Sequence, residues 1–137
     1  MAAGAPPAVS ASLVIDACLL VDLMVSEHLS EAVVARVDAS TLHAPAHLDA
    51  EVLSALGRLQ RAGDISATAL RRHLGELAEA PIVRHPLPDL LVDAWAKRAS
   101  LRLADALYVA LAEHLSVTLV TTDARLARVV ARADLVT

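Results

Sequence analysis

Four carboxylates interrupt or close apolar runs of this chain, and they limit how the chain can fold. Asp16 ends the run SLVI, Asp105 lies inside LRLADALYVALA, and Asp123 follows SVTLVTT, while Glu51 lies in HLDAEVLSAL. An isolated buried carboxylate is strongly unfavourable unless it is paired, hydrogen-bonded or bound to a metal. We therefore expect the four carboxylates to share one site, and a divalent cation to make that site tolerable.

Short apolar segments alternate with longer amphipathic ones along the chain. The pattern predicts the order β-α-α-β-α-α-β-α-α-β-α-β, which indicates an α/β fold with a mainly parallel sheet. An Ala/Pro/Ser-rich stretch at 1–11 predicts a flexible N-terminal tail, and 12–137 reads as a single domain. The predicted strands are 12–16, 41–44, 82–86, 117–121 and 133–137, and the predicted helices include 17–25, 28–38, 46–62, 67–80, 88–99 and 103–115.

Composition narrows the class of protein. The chain has 137 residues, is 56% hydrophobic and contains no Phe, so its core must be mainly aliphatic. A single cysteine, Cys18, allows no internal disulfide, and the N-terminus lacks the pattern of a signal peptide; both indicate a cytoplasmic protein without a membrane span. The net charge of −4 argues against nucleic-acid binding by counterion release, so any phosphodiester chemistry would need a bound metal or local arginines.

Asp16 and Asp123 have two alternative explanations. Each follows a predicted strand and precedes a helix, so N-capping alone would account for each of them. The carboxyl ends of neighbouring parallel strands also meet at one edge of a sheet, where ligand sites form. Burial of Asp105 is harder to explain. A carboxylate in the first turn of a helix gains only about 0.3–1 kcal/mol from the helix dipole. For Asp105, ligation or a close hydrogen-bonded partner is the better interpretation.

Glu51 lies at the edge of the apolar stripe of its helix, where an ordinary solvated glutamate is the alternative. Asp49, two residues earlier, points about 160° away around the helix, so only one of the two can face the sheet. The stripe favours Glu51. His43 and His47 are four residues apart, but Pro45 between them breaks a shared helical face and makes a zinc site weak.

Other chemistries find less support in the sequence. Cys18 has no neighbouring histidine motif and reads as a small buried hydrophobic residue. The sequence has no Gly-rich phosphate loop and no Ser nucleophile elbow. A receiver-like signalling module would need a lysine after its fifth strand, whereas the one lysine, Lys97, lies inside a predicted helix. The remaining chemistry is that of carboxylates with a metal.

Four sequence blocks resemble those of PIN-domain proteins, and more narrowly of the VapC toxins of type II toxin–antitoxin systems. The blocks are VIDACLLVDLM, APAHLDAEVLSALGRL, LADALYVALAE and LVTTDARLAR, and the resemblance extends from Leu13 to about Val136. It implies a three-layer PIN-like domain whose mainly parallel sheet has the strand order 3-2-1-4-5 and is flanked by helices. The first and fourth strands would then be neighbours.

The same resemblance implies an endoribonuclease that depends on Mg²⁺ or Mn²⁺. Its implied partners are RNA and a small antitoxin, in a homodimer or a toxin–antitoxin hetero-oligomer in the cytoplasm. The implied metal ligands and catalytic residues are Asp16, Glu51, Asp105 and Asp123, with support from Thr121 and Arg102. Arg58, Arg98 and Arg125 are further candidates for RNA contacts. The family often has Ser or Thr where this chain has Cys18, which keeps a second hypothesis open: a catalytically weak PIN-like scaffold that acts only through a partner protein.

Overall fold

The computed structural model describes residues 10–137. Most of the predicted flexible tail, 1–9, lies outside the described residues. Within 10–137, the helices lack the combination of length and apolar character that crossing a bilayer requires.

One five-stranded sheet organises the chain, and all of its neighbouring strands run parallel. The strand order is β3-β2-β1-β4-β5, which confirms the predicted fold class and order. The pairing of Ile15 with Val120 fixes the register between β1 and β4. Asp16 and Thr121, the next residues along, are therefore brought together at the carboxyl end of the sheet. The strands are β1 (Ser12–Ile15), β2 (Thr41–Pro45), β3 (Ile82–His85), β4 (Thr118–Thr121) and β5 (Ala133–Leu135).

Helices cover both faces of the sheet. Because parallel crossovers are right-handed, the connections from β1 to β3 place their helices on one face and the connections from β3 to β5 place theirs on the other. Contacts agree with this division, since α1 packs on α3 and α3 on α4, whereas α5 packs on α6. The helices are α1 (Ala17–Val25), α2 (Glu31–Asp38), α3 (Leu48–Arg61), α4 (Ala67–Glu79), α5 (Leu91–Ala96), α6 (Leu103–Leu115) and α7 (Ala124–Val129).

The core between these layers is aliphatic, as the composition predicted, with Tyr108 as its one large aromatic side chain among the described residues. Two of the predicted helices differ most from the structure. The helix predicted from residue 28 begins at Glu31, because the Ser30 side chain accepts a hydrogen bond from the Val33 amide and caps it there. The helix predicted at 88–99 is a 3-10 turn at Pro88–Leu90 followed by the short α5.

Candidate active site

A cavity of about 580 Å³ opens beside the carboxyl ends of β1 and β4. This edge is the topological switch point of the sheet, because chain connections leave β1 and β4 in opposite directions. Three of the predicted carboxylates line the cavity, and the fourth, Asp16, directly follows β1 and precedes the lining residues Ala17 and Cys18. The charged side chains of the lining are Asp22, Glu51, Asp105, Asp123, Arg58, Arg102 and Arg125.

Asp16 is fixed by both of its oxygens. It is the N-cap of α1, where Oδ1 accepts a hydrogen bond from the Leu19 amide at 2.9 Å. Oδ2 accepts one from the Thr121 hydroxyl at 2.5 Å. The Thr121 Oγ1 atom in turn accepts from the Asp123 amide at 2.9 Å, so one hydroxyl connects two of the predicted site carboxylates. Asp16 and Asp123 are helix caps and also neighbours at one site.

The environments of Asp16 and Asp123 move their pKa values in opposite directions. Burial raises the pKa of Asp16 to about 6; the hydrogen bonds from Thr121 and Leu19 oppose this shift, and the nearby Asp123 and Asp105 add to it. Partial burial acts upward on the pKa of Asp123 as well, but hydrogen bonds from the Leu126 amide and from Arg125 hold that pKa below its usual value. Carboxylates with pKa values pushed apart are typical of functional sites.

Asp105 and Asp123 share one arginine. The Arg125 Nη2 atom lies 3.2 Å from Asp105 Oδ2 and 3.3 Å from Asp123 Oδ2. Asp105 therefore has the close partner that its sequence context predicted. It is less buried than expected, with 23% of its side chain exposed, because the first turn of α6 reaches the surface.

Glu51 and Asp49 point into different regions, in line with the predicted helical phase. Glu51 lines the cavity, where its Oε1 atom accepts a hydrogen bond from the Tyr108 hydroxyl at 2.6 Å. Burial and the charge of Glu51 raise the pKa of Tyr108 far above its usual value, so this hydroxyl remains a donor. Asp49 faces away from the cavity and accepts two hydrogen bonds from Arg84.

Three residues of this region escaped the sequence analysis as site residues. His47 lies 3.3 Å from Glu51 through its Nε2 atom, and Tyr108 holds the same carboxylate. Asp22 lines the cavity and accepts a hydrogen bond from the Thr122 hydroxyl at 2.6 Å. A usable signal existed only for Asp22, which follows Cys18 by one helical turn and so lies on the same face of α1.

The structure also bears on two further predictions, those for Cys18 and for the pair His43 and His47. Cys18 is exposed on the cavity wall, so its assignment as a buried hydrophobic residue is wrong; it lies in the first turn of α1, directly after Asp16 and Ala17. Partial burial and the surrounding carboxylates raise the pKa of Cys18 to about 11, which keeps it a thiol at neutral pH. His43 contacts His85 at 2.9 Å and not His47, so the two histidines share no ligand.

The residues of the cavity fit a hydrated divalent cation by their chemistry. Within residues 10–137, no group of three or more His, Cys, Asp or Glu side chains is arranged so that it could hold a metal ion as the side chains stand. Carboxylate oxygens are the ligands that Mg²⁺ prefers, and Mg²⁺ keeps several of its waters. Arg125 lies between two of the carboxylates, and its side chain is 49% exposed and has room to move. The residues available to hold a cation are Asp16, Glu51, Asp105 and Asp123.

Comparisons with known proteins agree with this fold. Residues 13–131 match the family model of the PIN domain. Ribonuclease VapC3 of Mycobacterium tuberculosis is 51% identical over 117 residues, which cover 85% of each chain. Ribonuclease VapC12 of the same organism is 37% identical over 121 residues, covering 85% of this chain and 90% of the relative. The crystal structure of PAE2754 from Pyrobaculum aerophilum aligns with a TM-score of 0.65 and 25% identity, over 90% of this chain and 82% of that one.

Proposed function

The chain belongs to the PIN-domain family and, within it, to the VapC ribonucleases, and from that premise we propose that it is the toxin of a type II toxin–antitoxin system, an endoribonuclease that depends on Mg²⁺ or Mn²⁺. The observation that supports the proposal is that Glu51, Asp105 and Asp123 line one cavity, with Asp16 near enough to Asp105 and Asp123 for their charges to act on its pKa. A protein with this activity would act in the cytoplasm.

The charge balance of the cavity supports a cation as cofactor. Its carboxylates outnumber its arginines, so an RNA phosphate entering the cavity alone would be repelled. A bound divalent cation would neutralise that phosphate and stabilise the negative charge that develops on the leaving oxygen. The pKa of Asp16 is raised mainly by burial and also by repulsion from Asp123 and Asp105, and the same cation would offset that repulsion.

The residues of the chain have separate tasks in this proposal. Asp16 and Asp123 are rigid ligands, because capping and Thr121 fix their orientation. Arg58 and Arg102 lie on the cavity wall, where they would contact the phosphates that flank the cleaved bond. With few aromatic residues in the chain, we expect recognition to depend on RNA shape and these arginines more than on base stacking.

An inhibitor is the expected protein partner, since an active ribonuclease would damage its own cell. We propose a small antitoxin whose disordered segment folds on binding, with an apolar helix against α1, α2 and α4 and an arginine or lysine in the cavity. Arg125 supports the chemistry, because its guanidinium already lies between Asp105 and Asp123. The toxin would form a homodimer or a hetero-oligomer with the antitoxin.

Co-purification from the native operon tests the partner. We expect a small neighbouring gene product to co-purify with the toxin in a metal-poor, inactive complex. A toxin that purifies alone as a stable, inactive monomer, without a small neighbouring gene, would contradict the proposal.

The alternative function is a scaffold that acts only through its partner. Cys18 favours it to some extent, because a thiol at this position is a poorer partner for metal-held water than the hydroxyl that the family often has. The complete set of four carboxylates favours the enzyme, since a scaffold gains nothing from keeping charges that raise the pKa of Asp16.

Cleavage of a structured RNA by the antitoxin-free protein distinguishes the two functions. We expect cleavage with Mg²⁺ or Mn²⁺, its loss in EDTA, and its loss in Asp16→Ala. Asp49→Asn is the matched control, because Asp49 is a carboxylate outside the cavity. Cleavage that survives both EDTA and Asp16→Ala would exclude the proposed activity, and a folded protein that never cleaves RNA would favour the scaffold.

A further inference from the structure

One hydrogen-bond donor and one imidazole nitrogen lie close to the same oxygen of Glu51. The Tyr108 hydroxyl lies 2.6 Å from Oε1, and His47 Nε2 lies 3.3 Å from the same atom. The two rings also contact each other, with centroids 4.8 Å apart and planes tilted by 47°. Oε2 accepts no hydrogen bond from any side chain or amide within 10–137. One oxygen of the carboxylate is held and the other is left available.

The protonation of His47 follows from its partners. Nε2 lies 3.0 Å from the Ala104 carbonyl oxygen as well as close to Glu51 Oε1, and both of these oxygens can only accept. Nε2 therefore carries the hydrogen. The other ring nitrogen, Nδ1, is buried and has no partner within the described part of the chain.

An unpartnered buried nitrogen is unfavourable and needs an explanation. A leucine would occupy a similar volume without that cost, so the imidazole must be useful through Nε2. Through Nε2, His47 joins the first turn of α6, at Ala104, to the start of α3, which His47 immediately precedes. His47 thereby fixes the distance between the two helices that carry Glu51 and Asp105.

We propose that Tyr108 and His47 are positioning residues for Glu51: Tyr108 holds Oε1, and His47 ties the start of α3 to α6 beside it, so that Oε2 is free to bind the divalent cation. The Tyr108 hydroxyl is an uncharged donor, unlike the arginine that Asp49 receives, so it holds Glu51 without supplying a counter-charge. The proposal rests on the proposed function and names two residues through which that site acts.

Mn²⁺ binding to the metal-stripped full chain, followed by electron paramagnetic resonance, tests the proposal. Tyr108→Phe deletes only the hydroxyl, and we expect Mn²⁺ to bind about ten- to a hundredfold more weakly, as is usual when outer partners of metal ligands are lost. We expect a similar loss in His47→Leu and recovery in His47→Gln, whose amide nitrogen can replace Nε2. The control Asp49→Asn should bind Mn²⁺ as the wild type does.

A readout of catalysis separates positioning from general damage. Excess Mn²⁺ should restore RNA cleavage by Tyr108→Phe while KM for RNA stays unchanged. Wild-type affinity in both Tyr108→Phe and His47→Leu, or an equal loss in Asp49→Asn, would overturn the inference while the proposed function stood. If His47→Leu does not fold, Tyr108→Phe decides the matter. A wild-type protein that binds no Mn²⁺ would overturn the proposed function and this inference together.

Discussion

Helix α3 carries two carboxylates, Asp49 and Glu51, that face two different regions of the molecule. Asp49 faces the Arg84 anchor, which consists of the Arg84 guanidinium, Asp49 and the carbonyl groups near the start of β3. Arg84 donates to both Asp49 oxygens, at 3.2 and 3.0 Å. It also donates to the carbonyl oxygens of Leu77, Ala80 and Ile82, at 2.6, 3.0 and 3.3 Å.

In the Arg84 anchor, every guanidinium nitrogen has an acceptor and the carboxylate has its counter-charge. In the cavity, by contrast, Glu51 is held by a phenol, and Asp16 by a hydroxyl and an amide. Uncharged donors fix a carboxylate without neutralising it. The contrast supports the proposal of a further cation in the cavity, whereas the Arg84 anchor is electrostatically complete and serves stability.

Neutralising one carboxylate in each region is the strongest test of the difference between the cavity and the Arg84 anchor. Glu51→Gln should lower RNA cleavage at least about a hundredfold, since even outer partners of metal ligands cost that much. Asp49→Asn should leave the rate per folded molecule within about twofold of the wild type. Cleavage rates in Mn²⁺ check this, with circular dichroism as the control for folding. The reverse pattern would show that the helical phase was misjudged.

The pH dependence of stability in metal-free protein tests how much the cavity carboxylate Asp16 destabilises the fold. The pKa of Asp16 is raised from 3.8 to about 6, so the folded state binds this proton more tightly. That contribution is complete below pH 3.8 and is lost as pH rises through about 6, a loss of up to ~3 kcal/mol by neutral pH. Asp16→Asn should therefore be more stable than the wild type by about 1–3 kcal/mol at pH 7.5.

Urea unfolding in EDTA at pH 4 and pH 7.5 measures that difference. The advantage of Asp16→Asn should shrink towards zero at pH 4, where Asp16 is protonated in the wild type as well. If Asp16→Asn is more stable than the wild type by the same amount at both pH values, ionised Asp16 is not the cause of the difference.

Removal of the anchor should affect stability and spare the chemistry. Arg84→Met leaves three carbonyl groups and Asp49 without their donor, so we expect a loss of about 1–3 kcal/mol in the free energy of unfolding. Its cleavage rate per folded molecule should match the wild type. Urea unfolding and RNA cleavage check the two halves of this prediction; a stable Arg84→Met protein with lost activity would reverse the roles of the regions.

The smallest expected effect concerns Arg125, the one cavity arginine that already contacts two carboxylates. Because the Arg125 side chain is exposed, solvent screens its contacts with the two carboxylates and keeps them weak. Arg125→Gln should therefore bind Mn²⁺ up to about fivefold more tightly, since no guanidinium has to leave. Calorimetric titration with Mn²⁺ measures the change, and weaker binding would show that Arg125 supports the metal and does not compete with it.

Much of this architecture follows from local sequence signals. Asp16 and Asp123 each end a buried strand, and parallel strands bring such ends together, so their meeting could be predicted. The stripe on α3 also separated Glu51 from Asp49. These inferences depend on spacing within one element and on one general rule of sheet topology.

What the sequence could not reveal depends on long-range packing. His47 contacts Ala104, 57 residues later in the chain, and no periodicity of the sequence predicts that contact. Because Pro45 argued against a helical face shared by His43 and His47, there was no reason in the sequence to place His47 in a site. In the structure, the turn after β2 brings His47 to α6. The prediction that Cys18 is buried was wrong. Cys18 lies inside an apolar run, and such a run does not show which helical position faces the cavity. The Arg125 bridge joins two helices whose relative position only the fold determines.

A crystal of the antitoxin-free protein soaked in Mn²⁺ tests the central claim most directly, because anomalous scattering locates the metal without any assumption about activity. The account predicts one strong peak in the cavity, bonded to carboxylate oxygens from at least two of the four residues, with Arg125 withdrawn from between Asp105 and Asp123. The predicted ligands are Asp16, Glu51, Asp105 and Asp123. A saturated crystal with no peak in the cavity and Arg125 still bridging the two aspartates would contradict it.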